Sequence, residues 1–173
     1  MEEFEIRGSQ WVLNRILSFE LRINRYTPHR GRSYVPLPSV IANKKAIINV
    51  QNKDNKCFLW AVLSALHPGN KHSNRVLKYK KWEHEFDEEL KGIEFPVKLT
   101  DVSKFAKRTE LSINVYCFDN KSVVPLEITK DERDKHIDLL YYKNHYCWIQ
   151  SLEKLVVTNL KKIIKSYFSV ECA

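Results

Sequence analysis

Glycine is scarce in this chain, with 4 in 173 residues, alongside 6 prolines and a single methionine. That composition leaves no material for a long flexible linker. Internal repeats and low-complexity segments are absent, which excludes solenoids and disordered tracts. No apolar run approaches the length of a bilayer. The opening residues, Met1-Glu2-Glu3-Phe4-Glu5, are acidic and lack the apolar stretch of a secretory signal. These absences predict a soluble, intracellular protein with no membrane contact. No C-x-x-C or H-x-x-x-H pair is present to seed a zinc site, so neither metal nor cofactor is expected.

What is present points to a packed domain. With 43% hydrophobic and 12% aromatic residues, the chain can bury one sizeable core, and a single domain over residues 1–173 is predicted. Four cysteines stand at 57, 117, 147 and 172. A chain this rich in apolar residues does not need a disulfide framework. Cys117, inside the run Ile113–Phe118, reads as a small buried hydrophobe.

The formal charge of +8 suits nucleic acid or any acidic partner. Most cations alternate with acids, as in Lys78-Tyr79-Lys80-Lys81-Trp82-Glu83-His84-Glu85, and read as solvated faces. The most asymmetric stretch carries Arg22, Arg25, Arg30, Arg32, Lys44 and Lys45. Nucleic-acid binding is therefore kept as a side reading.

The hydrophobic pattern predicts elements in a definite order. Residues 10–26 begin with helical spacing and end with strand-like alternation. Pro28, Gly31, Pro36 and Pro38 then impose an extended path through 27–40. Ala46-Ile47-Ile48-Asn49-Val50 is a short β-rich run leading into a polar turn. Cys57 to Leu66 is apolar on nearly all sides and reads as a buried helix, stopped by Pro68-Gly69, with Asp54 or Asn55 placed to cap its start. Residues 73–91 suggest one or two surface helices, and 101–108 another. Strands follow at 112–118, 123–128 and 137–142. A tight turn at Lys143-Asn144 leads into His145–Ile149, completing a hairpin. An amphipathic helix over 151–168 ends the chain. The boundaries become a 1–45 extension, a 46–150 core and a terminal helix, in an α+β fold.

Two segments carry chemistry. Cys57 stands where six polar residues give way to an apolar helix. Backbone N–H groups at a helix start favour a thiolate and lower its pKa. His145 opens a strand, where a sheet holds an imidazole at a fixed angle. A thiol and an imidazole so placed are the parts of a cysteine hydrolase. His136, at the start of the neighbouring strand, is the runner-up base. Gln51 and the backbone of the turn at Asp54 are the candidates for an oxyanion hole. For the group that orients the histidine, Asp138, Asp119, Asn159 and Gln150 remain open. Asp138 is the one carried forward, although hairpin register sets it opposite Ile149. Cys147 shares a strand face with His145, whereas Tyr146 alternates away from it.

At these residues the chain resembles the ovarian-tumour (OTU) family of papain-like cysteine peptidases. That family's Asp-Gly-Asn-Cys-Leu-Phe signature is similar to Asp54-Asn55-Lys56-Cys57-Phe58-Leu59, and its His-Tyr pair to His145-Tyr146. Gln51 is similarly placed to a residue of the broader papain-like arrangement. The likeness covers residues 46–150. It departs at Lys56, where a small polar residue is usual, and at Cys147, where an aspartate or asparagine often stands. The herpesviral-tegument-like deubiquitinases share the cysteine-before-histidine order but carry aspartate where this chain has Lys143. Residues 26–155 also resemble a domain found in large reading frames of mobile-element type. The OTU likeness implies a papain-like fold, in which a central buried helix carries the nucleophile against a mainly antiparallel sheet. It also implies hydrolysis of isopeptide bonds to ubiquitin or a ubiquitin-like protein. Two rival classes are a papain-like protease acting on another protein, such as a mobile-element polyprotein, and a non-catalytic basic binding module.

Overall fold

The segment Cys57–Leu66 is helical over its whole length (α2), and eight of its ten residues, Cys57 to Ser64, are buried. A helix apolar on every side must lie between other layers. Burying side chains such as Phe58 or Leu63 favours that placement by ~1.5–3 kcal/mol each. The computed structural model describes residues 33–69, 71–119, 122–130 and 132–156. The helix and strand expected within 10–26, the start of the extended path at 27–32, and the terminal helix beyond its first turn at 152–156 lie outside these residues.

A short helix α1 (Ser39–Ala42) precedes the two-residue strand β1 (Ile47–Ile48). After α2 come helix α3 (Leu99–Thr109) and strands β2 (Ser112–Phe118), β3 (Val123–Glu127), β4 (His136–Tyr142) and β5 (His145–Ile149). The five strands form one mixed sheet in the order β1-β5-β4-β2-β3. Pairings β1–β5, β4–β5 and β2–β3 are antiparallel. The β2–β4 pairing is parallel, with Ser112 beside His136 and Asn114 beside Asp138. The α+β class stands, and the sheet is mixed: three of its four pairings are antiparallel and one is parallel. Lys143 and Asn144 both have positive φ, 49° and 66°, as the tight β4–β5 turn requires.

The sheet separates two apolar clusters. On one face α2 and α3 pack with Val115, Leu139 and Tyr146. There Phe58 meets Phe105 and Tyr146 edge-on, at centroid distances of 5.2 and 5.3 Å. On the other face Ile41, Ala46, Leu140, Tyr142, Cys147, Ile149 and Leu155 assemble. Tyr146 and Cys147 thus point to opposite faces, as strand alternation dictates.

Two local expectations need correction. Residues 73–91 form no α-helix; two 3-10 turns, Val76–Lys78 and Lys80–Trp82, are followed by further turns. Clustered cations and aromatics there are pinned individually by tertiary contacts, which override helical spacing. Cys117 is only half-buried, because β3, which flanks its strand, is the exposed edge of the sheet.

Candidate functional site

Cys57 is the first residue of α2. The position before it, Lys56, makes no side-chain cap, contrary to the expected capping by Asp54 or Asn55. Asp54 works one residue earlier. Its Oδ1 accepts from the Lys56 N–H at 3.0 Å and from Asn52 Nδ2 at 3.0 Å. The buried Trp60 indole N–H also donates to the carboxylate, at 3.0 and 3.1 Å to its two oxygens. The turn that delivers Cys57 is therefore tied to the first turn of its own helix. Lys56 is held in turn by Glu83, 2.8 Å away, which also pairs with Lys80. Those two ammonium groups hold the Glu83 carboxyl down at about 2.

The backbone N–H groups of Tyr146, Phe58 and Cys57 itself face the Cys57 sulfur and favour its ionised form. The packing of α2 on β5 sets the thiol near the peptide that follows His145. Burial nevertheless dominates and pushes the thiol up, with the negative charge of Asp54 adding to the rise. The expected lowering by the helix start is thus outweighed: with 2% exposure, the thiolate loses more solvation than three N–H groups restore.

His145 is 1% exposed. Its Nε2 lies 2.9 Å from Asn49 Oδ1, and Tyr34 packs edge-on against its ring at 6.4 Å. Asn49 Nδ2 donates to the Val35 carbonyl at 2.9 Å. That second bond fixes the amide, so its oxygen faces the imidazole and accepts from an Nε2–H. The neutral ring then carries its lone pair on Nδ1.

Asn49, immediately after β1, was not among the residues singled out by sequence. One signal pointed to it: a lone amide inside the apolar run 46–50. Antiparallel pairing of Ile47 with Ile149 and Ile48 with Trp148 brings that amide alongside the start of β5.

Asp138 and His136 fall elsewhere. Asp138 does not meet His145. It lies on β4 and contacts His136, with Oδ1 3.2 Å from Nε2, because the β4–β5 register pairs His145 with Tyr142, four residues away from Asp138. His136 also contacts Ser112 Oγ at 2.8 Å and Asn114 Nδ2 at 3.1 Å, so the runner-up base belongs to a separate polar ladder across β2 and β4. Gln51 is exposed, and its backbone N–H donates to Asn74 O at 2.8 Å. The Asp54 side chain, an acceptor occupied by three donors, cannot stabilise an oxyanion; only its backbone remains available. Among the described residues no group of three His, Cys, Asp or Glu side chains is arranged to hold a metal ion, and no helix is long and apolar enough to cross a membrane.

No family model, curated protein or solved structure matches the chain.

Proposed function

We propose that the protein is a cysteine hydrolase with a papain-like arrangement, acting as an isopeptidase on ubiquitin or a ubiquitin-like protein. One arrangement supports the reading: the N–H of the peptide that follows His145 faces the Cys57 sulfur, and Asn49 Oδ1 lies 2.9 Å from Nε2 of that imidazole. In this reading nucleophile, base and orienting group come from three separate segments, linked by the packing of α2 on β5 and the pairing of β1 with β5.

Burial raises the resting thiol and favours its protonated form. On substrate binding, His145 Nδ1 takes the proton as sulfur attacks the carbonyl of a C-terminal glycine. The imidazolium keeps its Nε2–H on Asn49 and gives its Nδ1 proton to the departing lysine amine. A water molecule, deprotonated by the same nitrogen, then cleaves the thioester and restores the thiol. The Gln51 side-chain amide and the Asn55 backbone N–H, which donates to no described group, are the donors proposed for the developing oxyanion.

Incubation with linkage-defined diubiquitins and with a fluorogenic ubiquitin amide tests the substrate. Cleavage that vanishes in Cys57→Ala is expected. If Cys57 proves reactive toward small electrophiles while every ubiquitin-type substrate stays intact, ubiquitin is wrong and a protease for another protein takes its place.

A further inference from the structure

Beside the Cys57 turn runs a segment of uniform charge. Residues 71–82 contain Lys71, Arg75, Lys78, Lys80 and Lys81 and no acid. Among the described residues only Lys80 of these five makes a salt bridge, to Glu83. Lys71, Arg75 and Lys81 are exposed, and between them Leu77 projects with 84% of its surface in solvent. Leu77 thus offers apolar surface that a bound partner gains by covering.

The segment is held in place. Tyr79, fully buried, donates its hydroxyl to the Ser73 carbonyl at 2.8 Å, and Lys78 Nζ donates to the Lys71 carbonyl at 3.1 Å. It also adjoins the candidate site: Asn74 O accepts the Gln51 N–H, and Glu83 joins Lys80 to Lys56, the residue before Cys57.

We propose that residues 71–81 form a docking lip for an acidic polypeptide segment that carries an apolar side chain for Leu77. The charge selects carboxylates. The aromatic groups decide against single-stranded nucleic acid, which needs open ring faces for base stacking. Tyr79 is buried, and Trp82 is covered by the His67 ring, stacked at 3.9 Å, and by Lys81 Nζ, 3.9 Å from its centroid. What stays open is aliphatic. That the docked segment is delivered to Cys57 rests on the hydrolase reading; the binding itself does not.

Fluorescence anisotropy with three labelled probes tests the lip: a Glu/Asp-rich peptide with one central leucine, its Lys/Arg-rich counterpart, and a single-stranded RNA. The acidic peptide should bind, weakening steadily as salt rises, while the basic peptide should not. Lys71→Glu with Arg75→Glu should weaken acidic-peptide binding about tenfold or more, and Leu77→Ser about threefold, with melting temperature unchanged. Cys57→Ala should bind like wild type, which separates docking from hydrolysis. Equal binding of both peptides, RNA binding as tight as acidic-peptide binding, or indifference to both salt and charge reversal would each overturn the proposal.

Discussion

Asn49 and His145 are 96 positions apart in the chain, yet Asn49 Oδ1 lies 2.9 Å from His145 Nε2. The contact exists because β1 pairs with β5, and it sets the imidazole tautomer from outside the strand that bears it. Asn49→Ala removes that constraint and leaves a buried ring to rotate. Hydrolysis should fall on the order of 10²-fold, the scale of a lost general base, with kcat more affected than KM. Thermal denaturation should report a much smaller change than kinetics does.

The correction at Asp138 yields a contrasting expectation. Its partner is His136, so Asp138→Asn should leave the alkylation rate of Cys57 within about twofold of wild type, since surface-side changes away from a site seldom shift it further. A loss as large as that of Asn49→Ala would return Asp138 to the site.

Burial governs the resting thiol. Because Cys57 is pushed up from its ordinary value, its alkylation by iodoacetamide should climb with pH beyond the range of a free cysteine. It should show no plateau between about pH 5 and 7, where a preformed thiolate–imidazolium pair would react. Peptide mapping over a pH series reads this directly.

Glu83 supplies a stability signature. Its folded-state value of about 2 lies below the ordinary 4.5, so the stabilisation is fully present above about pH 4.5 and disappears as pH falls from there toward 2. The magnitude is on the order of 1–3 kcal/mol after allowing for the exposed lysine partners. Glu83→Gln should flatten the acid limb of a urea-midpoint profile over that window.

Asp54 gives a structural test. Asp54→Ala leaves the buried Trp60 indole N–H and the Lys56 amide without their acceptor. An unsatisfied buried donor costs about 1–3 kcal/mol, which for a chain of this size lowers Tm by roughly 2–10 °C. Differential scanning calorimetry measures it.

Sequence pattern located most of the regular elements. The apolar run at Cys57–Leu66 could only be a buried helix, and alternation with a two-residue turn fixed the β4–β5 hairpin. It also singled out Cys57 and His145, the proposed nucleophile and base, whose types and settings are unusual locally. It could not locate Asn49, because its place beside His145 is set by which strand closes the far edge of the sheet, a non-local pairing of two residues on each side. The parallel β2–β4 pairing escaped for the same reason. The turns at 76–82 escaped because cation–aromatic and ion-pair contacts, rather than period, shape them.

The most direct measurement is covalent labelling by ubiquitin bearing a C-terminal vinyl methyl ester, with the modified residue identified by mass spectrometry. Wild-type protein should carry one adduct, on Cys57, while folded His145→Ala should carry none and folded Asn49→Ala far less. An adduct on Cys117 or Cys147, or labelling of Cys57 that is indifferent to His145, would contradict the account.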